Sequence, residues 1–593
     1  MPAQREGGYG DLSSYAAIGN GRTVALIALD GAIDWLPIPD LDSAPAFARL
    51  LDACEGGRME LKPTEPFTVD RRYVDGTNVL ETTFTTDAGT ARVTDALVNG
   101  FAGRLPWVEL ARRVEGVDGE VRFRWCVAPG TRFSTASPWV DTTVHGEVIR
   151  VGGLMMVVRG IAHVPESGGR REIAGTFTTT SKSRHLITVA ATEDEPLHLP
   201  VPKLTDEGLD RTIETWQSWS RDFNYRGPWA AAVQRSALAL KLLMYEPTGA
   251  IAAAATTSLP ESLGGGKNWD YRFAWVRDIA YMVRSLVRFG LREETHAAVV
   301  WLLDAIRENG PGLSILYTLD GSIPDDVRVR DAPGWRRIGP VASGNRAVDQ
   351  LQLGVYGDLF NVMRVFVEAG NVLDERTGSM LAALANEVTG IWRQQDSGIW
   401  ELPEQRHFTS SKMGCWQALK EAARLGEMGQ IPGDSEHWLS ESEAIHEWIL
   451  ENCWSEKRQS FVAWAGGDSL DASVLLHAAS GFDRTWRMSS TIDVIQAELG
   501  NGLLMHRYTE AAREEGAFVA CSFWMVSALA CVGRCSEAVS LMNGIVNMAN
   551  DVGLYSEMID PQNLLFLGNL PQGLSHLALI NAAITLEELN CGQ

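Results

Sequence analysis

The segment Phe273-Ala-Trp-Val-Arg-Asp-Ile-Ala-Tyr-Met-Val-Arg-Ser-Leu-Val-Arg-Phe-Gly290 decides the fold class of the larger part of the chain. Apolar side chains recur in it three and four residues apart, which is the period of an amphipathic helix. Gly290 follows the last apolar position, and glycine is the favoured residue just past a helix C-terminus. We therefore predict an α-helix that begins near residue 276 and ends before Gly290.

The same period recurs from about residue 210 onwards and gives about twelve helical segments. An even number of helices with short and long connections suits a toroid of helical hairpins. Periodicity alone does not distinguish that arrangement from another large helical bundle. The segments start near residues 230, 276, 294, 348, 377, 410, 435, 470, 488, 518, 535 and 574.

The first 200 residues have a different pattern of short strands separated by turn residues. Many short strands at this spacing are typical of an antiparallel β-sandwich. Pairs of strands are predicted in 23–39 around Asp30-Gly31, in 79–97 around Asp87-Ala88-Gly89, and between 107–114 and 120–127 around Asp118-Gly119.

The chain length also favours more than one domain. A single core rarely organises 593 residues. We predict a β-sandwich domain over 1–205, a linker over 206–229 and a helical catalytic domain over 230–593.

Composition and charge exclude several classes of partner. The 52 basic and 75 acidic residues give a net charge of −23, which repels phosphate backbones and anionic lipid. We therefore expect neither nucleic acid nor a membrane as a partner. The start at Met1 leads into no apolar segment of the kind found in secretory signals, and the eight cysteines are sparse. Most of them are expected to be buried thiols, and a cytoplasmic location is predicted.

No metal or nucleotide motif is present in the sequence. The glycine run Gly264-Gly265-Gly266 ends in Lys267-Asn268, whereas a phosphate-binding loop ends in Lys followed by Ser or Thr. We predict no cofactor and no metal.

Two carboxylates stand in short aromatic and polar contexts within the helical part. Glu401 ends Gly398-Ile-Trp-Glu401, and Glu557 ends Gly553-Leu-Tyr-Ser-Glu557. Cleavage of a glycosidic bond needs two carboxyl groups on one face, one protonated and one ionised. The pair therefore predicts a glycosidase site.

The segment Trp269-Asp-Tyr-Arg-Phe-Ala-Trp-Val-Arg-Asp278 combines aromatic rings with Arg and Asp. Aromatic faces stack on pyranose rings, and Arg and Asp hydrogen-bond sugar hydroxyls. The same residues would also suit a helix N-terminus with a local ion pair and core aromatics. The segment alone leaves both interpretations open.

Several long motifs follow one another along the chain. They are Ile18-Gly-Asn-Gly-Arg-Thr23, Asp30-Gly-Ala-Ile-Asp-Trp35, Asn268 to Asp278, Gly398-Ile-Trp-Glu401 with His407-Phe-Thr409, Glu515-Gly-Ala-Phe518 with Cys521-Ser-Phe-Trp524, and Ser556-Glu557 with Ser575-His-Leu-Ala-Leu-Ile-Asn581. Together they resemble the bacterial, glucoamylase-like branch of glycoside hydrolase family 15. The resemblance extends over essentially the whole chain.

This resemblance implies an N-terminal β-sandwich followed by an (α/α)6 barrel. It also implies inverting, single-displacement hydrolysis of α-glucosidic bonds from the non-reducing end. By the matching positions, Glu401 is the general acid and Glu557 the general base. Arg277 and Asp278 match the pair that holds the sugar in the −1 subsite, with an aromatic wall of Tyr271, Trp275 and Trp400.

Four places depart from the family pattern. Leu402 follows the acid and Met558 follows the base, where further polar residues are common, and Gly354 stands where Asp is usual. The segment 335–339 has no clear match. These departures leave the leaving-group subsite open.

The sequence therefore predicts an exo-acting, inverting hydrolase of α-glucosidic bonds in oligosaccharides or small glucans, which releases β-glucose. A trehalase of the same family is the alternative. A disaccharide phosphorylase is more distant because it needs no second catalytic carboxylate, and a non-catalytic sugar-binding relative is a third class. The partner is an α-glucoside or oligosaccharide substrate. Linkage preference, chain length and oligomeric state stay open, with a homo-oligomer among the alternatives.

Overall fold

The computed structural model describes residues 5–100, 105–162, 170–310, 312–511 and 514–591, and it divides the chain into a part rich in strands and a helical part. The first part holds the long strands. They are β1 (Ala16–Gly19), β2 (Val24–Ile27), β3 (Ile33–Pro37), β4 (Pro45–Phe47), β5 (Gly57–Pro63), β6 (Thr68–Tyr73), β7 (Leu80–Thr85), β8 (Gly89–Leu97), β9 (Val108–Pro129), β10 (Trp139–Thr143), β11 (Gly146–Val151), β12 (Leu154–Arg159), β13 (Ile173–Thr180) and β14 (Arg184–Glu193).

These strands form two antiparallel layers that share β9. One layer runs β1-β2-β3-β5 and reaches the C-terminal half of β9, which also pairs with β13. The other joins β6-β7-β8 to the N-terminal half of β9 and continues through β14, β12, β11 and β10. Phe84 of β7 meets Phe123 of β9 edge to face at 5.9 Å within the shared core. The predicted antiparallel β-sandwich is confirmed.

Two of the three predicted hairpins are present, and the third prediction was wrong. The turns at Asp30-Gly31 and at residues 87–89 join β2 to β3 and β7 to β8. Residues 107–114 and 120–127 do not pair with each other, because both belong to the single strand β9. Its two halves pair with different layers, and the register shifts where Thr90 faces Asp118 and Ala91 faces Gly116. The Asp118-Gly119 dipeptide therefore bends a strand and does not reverse the chain.

The second part is helical. Its helices, preceded by α1 (Pro202–Asp222), are α2 (Ala230–Leu243), α3 (Val276–Phe289), α4 (Arg292–Asn309), α5 (Gly354–Glu368), α6 (Glu375–Ile391), α7 (Thr409–Glu427), α8 (Ser435–Asn452), α9 (Leu476–Ser480), α10 (Trp486–Leu499), α11 (Val519–Cys531), α12 (Cys535–Val546) and α13 (Gly573–Glu588). Short 3-10 segments span Leu12–Ser14, Trp335–Arg337, Arg346–Asp349 and Ala472–Leu475.

The odd-numbered helices α3 to α13 form an inner ring in which each contacts the next and α13 returns to α3. The even-numbered helices pack outside, as α4 does on α3 and α12 on α11. This is an (α/α)6 barrel, so the expected fold is confirmed. The predicted start near 348 is displaced because residues 346–349 form a 3-10 turn before α5 begins at Gly354.

Most of the predicted linker 206–229 is helical, since α1 extends to Asp222. This helix packs on the sandwich: Asp206 pairs with Arg113 of β9 at 2.6 Å, and the Thr212 hydroxyl accepts a hydrogen bond from the Asn99 amide at 2.9 Å. The domain boundaries themselves stay a prediction.

Short ladders in the connecting loops hold the loops in place. They comprise Met244–Tyr245 with Ala250–Ile251, Ala274–Trp275 with Leu316–Tyr317, Arg328–Arg330 with Val341–Ser343, Trp454–Ser455 with Ser460–Phe461, Gly500–Asn501 with Leu504–Met505, and Ala517–Phe518 with Met558–Ile559 and Phe566–Leu567.

The sandwich packs directly against the loops of the barrel. The indole N–H of Trp35 donates to the Ala255 carbonyl at 2.9 Å, and the guanidinium of Arg272 donates to the Ser43 carbonyl at 2.9 Å. Arg272 lies inside the motif 269–278, so the N-terminal domain supports that motif from behind.

Two of the eight cysteines form a disulfide, although most of the cysteines were expected to be buried thiols. Cys535 at the start of α12 forms a disulfide with Cys591, which follows α13, whereas Cys126, Cys415, Cys453 and Cys521 are buried free thiols. Among the described residues, no helix is long and apolar enough to cross a membrane.

Helices α5 and α7 pack unusually closely, which generates a prediction. A Cβ on Gly414 of α7 would lie 2.7 Å from the Cα of Gly354. Gly414→Ala should therefore lower the free energy of unfolding by about 1–3 kcal/mol, because backbone atoms have to move apart. The melting temperature and urea midpoint measure the change.

Gly390 in α6 provides the matched control, because a Cβ there meets no atom within 4 Å. Gly390→Ala should leave stability unchanged or raise it by about 0.5–1 kcal/mol, since alanine favours helix. Equal melting temperatures for the two variants would contradict close packing of α5 and α7.

Candidate active site

A cavity of about 170 Å³ lies among the loops that lead into the N-termini of the inner helices. Residues before or at the start of α3, α5, α7, α11 and α13 contribute to its wall. Its lining includes Glu261, Lys267, Trp269, Tyr271, Arg277, Asn345, Arg346, Gln350, Ile399, Trp400, Glu401, Leu402, Arg507, Tyr508, Phe518 and Gln572.

The structure brings all seven predicted site residues together around this cavity. Tyr271, Arg277, Trp400 and Glu401 line it, and the remaining three each contact one of those four. Trp275 is hydrogen-bonded to Glu401, Asp278 is paired with Arg277, and Glu557 lies beside the Tyr271 hydroxyl, which lowers the pKa of its carboxyl group.

Glu401 lies in the loop between α6 and α7 with a positive φ of 59°, which is rare for a residue other than glycine. Its carboxylate accepts a hydrogen bond from the indole N–H of Trp275 at 3.0 Å, and its carbonyl accepts one from the Gln350 amide at 3.0 Å. Burial raises the pKa of Glu401, against the opposing effects of the Arg277 charge and the Trp275 hydrogen bond. The loop therefore presents a carboxyl group that is biased towards its protonated form.

The loop is shaped by a buried carboxylate next to it. Asp396 accepts hydrogen bonds from the Ser411 hydroxyl at 2.6 Å and from the Leu353 amide at 3.0 Å. These contacts tie the loop to the starts of α5 and α7, and this packing maintains the positive φ at Glu401.

Glu557 has no exposed surface and is held by backbone groups. Its Oε2 accepts a hydrogen bond from the Asn569 amide at 3.2 Å, and its carbonyl accepts one from the Val519 amide at 3.1 Å. Its Oε1 has no protein partner. Burial raises the pKa of Glu557 to about 7, although Arg507 and Tyr271 favour the ionised form.

Tyr271 lies between the two carboxylates. Its hydroxyl lies beside Glu557 and lowers the pKa of that carboxyl group. Burial, followed by the charges of Glu557, Glu261 and Glu401, raises the pKa of Tyr271 itself well above the usual value. The phenol therefore stays a neutral hydrogen-bond donor throughout the ordinary pH range.

Arg277 and Asp278 open helix α3. Their side chains form an ion pair at 3.1 Å, and Arg277 also donates to the Ile399 carbonyl at 3.3 Å. Burial raises the pKa of Asp278 against the effect of Arg277, and Asp278 Oδ1 is buried without a protein partner. A buried carboxylate oxygen that is not satisfied by the protein is suited to accept a hydrogen bond from a ligand hydroxyl.

Trp400 forms one wall and is fixed by polar as well as aromatic contacts. Its indole N–H donates to Asp471 at 2.8 Å, and its ring stacks on Trp524 at 5.9 Å. Burial raises the pKa of Asp471 to about 6 despite that hydrogen bond.

A buried charged cluster at the site was not predicted from the sequence. Arg507 lies 5.4 Å from the Trp400 ring centre and pairs with both Glu261, at 2.7 Å, and Glu515. Lys267 pairs with Glu515 at 2.6 Å. Glu515 belongs to a motif that carried the family resemblance, but no local pattern distinguishes Glu261 or Arg507 from surface residues.

The departures from the family pattern lie in different surroundings. Leu402 lines the cavity, whereas Met558 is fully buried and pairs with Phe518 and Leu567 in a short sheet. The unmatched segment 335–339 packs against the sandwich, because the indole N–H of the buried Trp335 donates to the Gly10 carbonyl at 2.9 Å. That segment therefore joins the two domains beside the site.

A second cavity of about 470 Å³ follows the barrel axis and is lined by the inner helices. Arg277 and Ile399 line both cavities and so separate them. No group of three or more His, Cys, Asp or Glu residues that could hold a metal ion occurs in the described part of the chain.

Comparisons with known proteins agree with the fold and with the family resemblance. The sequence profile of "Glycosyl hydrolases family 15" matches residues 227–584, and the profile "Trehalase-like, N-terminal" matches residues 11–192. A solved structure of a bacterial glucoamylase complexed with acarbose superposes with a TM-score of 0.73 at 12% identity, covering 99% of this chain and 94% of that one. It shows the shared fold.

Two curated relatives are similar over nearly their whole lengths. The trehalase of Thermoplasma volcanium is 31% identical over 98% of this chain and 94% of its own length. The trehalase of Mycobacterium tuberculosis is 31% identical over 97% of this chain and 89% of its own length. The family resemblance inferred from the motifs is confirmed.

The close contact between Gly568 and Glu557 generates a prediction. A Cβ on Gly568 would lie 2.4 Å from Glu557 Oε2, and φ at Gly568 is +69°. Gly568→Ala should displace the Glu557 carboxylate and reduce kcat for an α-glucoside at least ~10-fold, because catalytic geometry tolerates little displacement. Initial rates of glucose release measure the effect.

Gly502→Ala is the matched control, since φ there is +63° and a Cβ meets no atom within 4 Å. Both variants carry a similar backbone cost of about 1–2 kcal/mol. Only Gly568→Ala should lose activity, and wild-type kcat in that variant would contradict a role for the packing around Glu557.

Proposed function

The chain belongs to glycosyl hydrolases family 15, and on that premise we propose that it is an inverting trehalase. The protein is a glycoside hydrolase. The finer assignment is the proposal: it hydrolyses the bond between the two glucose units of α,α-trehalose. Trehalase activity was the alternative in the sequence analysis, and the comparisons favour it over a glucoamylase acting on small glucans.

One observation carries the proposal: the similarity to trehalases extends over both domains. The 31% identity to the Thermoplasma volcanium enzyme covers 98% of this chain, and the N-terminal domain separately matches the trehalase-like profile. The bacterial glucoamylase has the same fold at only 12% identity. Sequence similarity through the sandwich matters because this domain packs against the loops that surround the cavity.

The size and polarity of the cavity support a small substrate. Its volume of about 170 Å³ lies below the range of roughly 300–1,000 Å³ typical of larger ligand pockets. Arg346 is exposed and lines the cavity together with Gln350 and Tyr508. These polar groups suit the hydroxyls of a second sugar ring.

The carboxyl groups account for the chemistry. In the proposed mechanism, Glu401 gives its proton to the oxygen between the two sugars as the C1–O bond breaks. Glu557 takes a proton from a water molecule whose oxygen forms the new bond to C1. A raised pKa favours the role of Glu401, because the general acid must be protonated when the substrate binds. At Glu557 a raised pKa reduces the ionised fraction that can act as the base.

Other polar groups have supporting roles in this proposal. Arg277 and Asp278 hold hydroxyls of the sugar whose C1 reacts, and the hydroxyl of Tyr271 orients the Glu557 carboxylate. Trp400 supplies an apolar face for the sugar ring, and Trp275 holds Glu401 through its indole N–H. Glucose leaves with its own anomeric configuration unchanged, whereas the attacked sugar is inverted to β-glucose.

The more distant alternatives receive less support. A phosphorylase would need no base, yet Glu557 is a buried carboxyl group beside Tyr271, and burial raises its pKa to about 7. A non-catalytic relative would have no need for two carboxyl groups at one cavity. A cytoplasmic location and the oligomeric state stay predictions.

Substrate preference tests the proposal. We expect kcat/KM for trehalose to exceed that for maltose, isomaltose, kojibiose, nigerose and soluble starch by at least ~100-fold, since misplaced polar partners at the second ring cost several kcal/mol. Glucose release measured at equal substrate concentration gives the ranking. Glu557→Gln serves as the inactive control.

A preference for maltose or starch would contradict the trehalase proposal and restore the glucoamylase alternative. Formation of glucose 1-phosphate in phosphate buffer would indicate a phosphorylase.

A further inference from the structure

We propose that Arg346 determines which leaving-group sugar the enzyme accepts: its guanidinium donates hydrogen bonds to hydroxyl oxygens of the second ring of the substrate. The inference deepens the proposed function and rests on the role of Glu401 as the acid. Arg346 lies outside all the motifs that carry the family resemblance.

Arg346 differs from the other cations of the cavity wall because the part of the chain that the structure describes offers its side chain neither an ion pair nor a hydrogen bond. The donors of a guanidinium that the protein does not use are free to bind a ligand. The other three cations of the wall each pair with a carboxylate: Lys267 with Glu515, Arg277 with Asp278 and Arg507 with Glu261. Arg346 is therefore the cation of this wall that is available to a substrate.

The turn that carries Arg346 is fixed at its start by a cap and by packing. Arg346 begins a 3-10 segment, and the preceding Asn345 caps it by accepting a hydrogen bond from the Ala347 amide at 2.9 Å. Ala347 lies in a small buried cluster with Trp275, whose indole N–H donates to the Glu401 carboxylate at 3.0 Å. The backbone at Arg346 is therefore placed by the same ring that places the acid.

The end of this turn is tied to the acid directly. The backbone amide of Gln350 donates to the Ala347 carbonyl at 3.0 Å, and the side-chain amide of Gln350 donates to the Glu401 carbonyl at 3.0 Å. In glycosidic cleavage the acid contacts the oxygen that leaves with the second sugar. Arg346 therefore lies on the side of the cavity where the leaving group is bound.

Exposure distinguishes the inner end of the cavity from its mouth. The proposed partners of the reacting sugar are buried, since the side chain of Arg277 is 13% exposed and that of Asp278 is 2% exposed. Arg346 is exposed and still lines the cavity. A disaccharide whose first ring contacts the buried pair extends its second ring towards the mouth, where Arg346 lies.

A guanidinium suits this second ring for a chemical reason. Its planar fork can donate two parallel hydrogen bonds to neighbouring oxygens, whereas a lysine ammonium acts as a point charge. The leaving ring of a disaccharide carries adjacent hydroxyl groups, but the fluoride of α-glucosyl fluoride carries none. Arg346 should therefore contribute to the hydrolysis of disaccharides and not to that of α-glucosyl fluoride.

Arg346→Ala tests this through the comparison of those two substrates. We expect kcat/KM for trehalose to fall roughly 10–100-fold, because a charged hydrogen bond to the second ring is lost. We expect kcat/KM for α-glucosyl fluoride to stay within about 2-fold of wild type, since both catalytic carboxyl groups keep their contacts. Arg346→Lys should recover only part of the activity on trehalose, because it restores the charge without the fork.

Arg292→Ala is the matched control. Arg292 is also an exposed arginine at the start of a helix, α4, but it lines neither of the two cavities. This variant should match the wild type on both substrates. Circular dichroism and melting temperatures show whether each variant is folded.

Wild-type kcat/KM for trehalose in Arg346→Ala would overturn the inference. Equal losses on trehalose and α-glucosyl fluoride would overturn it as well, because Arg346 would then act on the reacting sugar or on the structure of the site. Failure of the proposed function looks different: a wild-type enzyme that prefers maltose contradicts the trehalase proposal alone. The same comparison between maltose and α-glucosyl fluoride then decides the role of Arg346.

Discussion

Removal of carboxyl groups from water is the interaction on which the rest of the site depends. Burial raises the pKa of Glu401, Glu557, Asp278 and Asp471, and each of these groups keeps at least one fixed hydrogen-bond donor or cation nearby. Without those partners, a buried carboxylate would be strongly destabilising. Acid and base chemistry at one bond requires two carboxyl groups in different protonation states, and the two groups have different partners: Trp275 and Arg277 act on Glu401, whereas Arg507 and the Asn569 amide act on Glu557.

The fold provides these partners from several directions at once. The inner helices α3, α5, α7, α11 and α13 start at the cavity, so the loops that precede them bring several side chains to it. The sandwich supports the loops from behind through Arg272 and Trp335. The positive φ at Glu401 and the close contact of Gly568 with Glu557 each raise the free energy of the folded state locally. Packing of the barrel offsets this increase.

Sequence patterns predicted the structural features that repeat locally or that belong to long motifs. Apolar periodicity located the helices, and turn residues located two hairpins. The prediction of a hairpin at Asp118-Gly119 was wrong because the same dipeptide suits both a hairpin turn and a bend within one strand. Only the pairing partners of β9 distinguish the two. The start of α5 was displaced because a 3-10 turn is stabilised by Asn345, whose side chain caps it.

The buried cluster of Arg507, Glu261, Glu515 and Lys267 could not be predicted from the sequence, for a different reason. Glu261 and Arg507 are 246 positions apart, and neither stands in an apolar pattern or a recognisable spacing. Their pairing exists only after the barrel has closed. Glu401 and Glu557 were predicted as site residues because their motifs resemble a family, whereas their burial, hydrogen bonds and raised pKa values follow from the assembled structure.

The central claim is that Glu557 activates a water molecule that attacks the sugar directly, while Glu401 protonates the bond that breaks. The anomeric form of the first glucose released from trehalose tests it most directly, by proton NMR within the first turnovers and before mutarotation. Inversion at one of two α-linked sugars predicts equal amounts of α- and β-glucose, with oxygen from ¹⁸O-labelled water only in the β form. Initial release of α-glucose alone would require a covalent intermediate and would contradict this account.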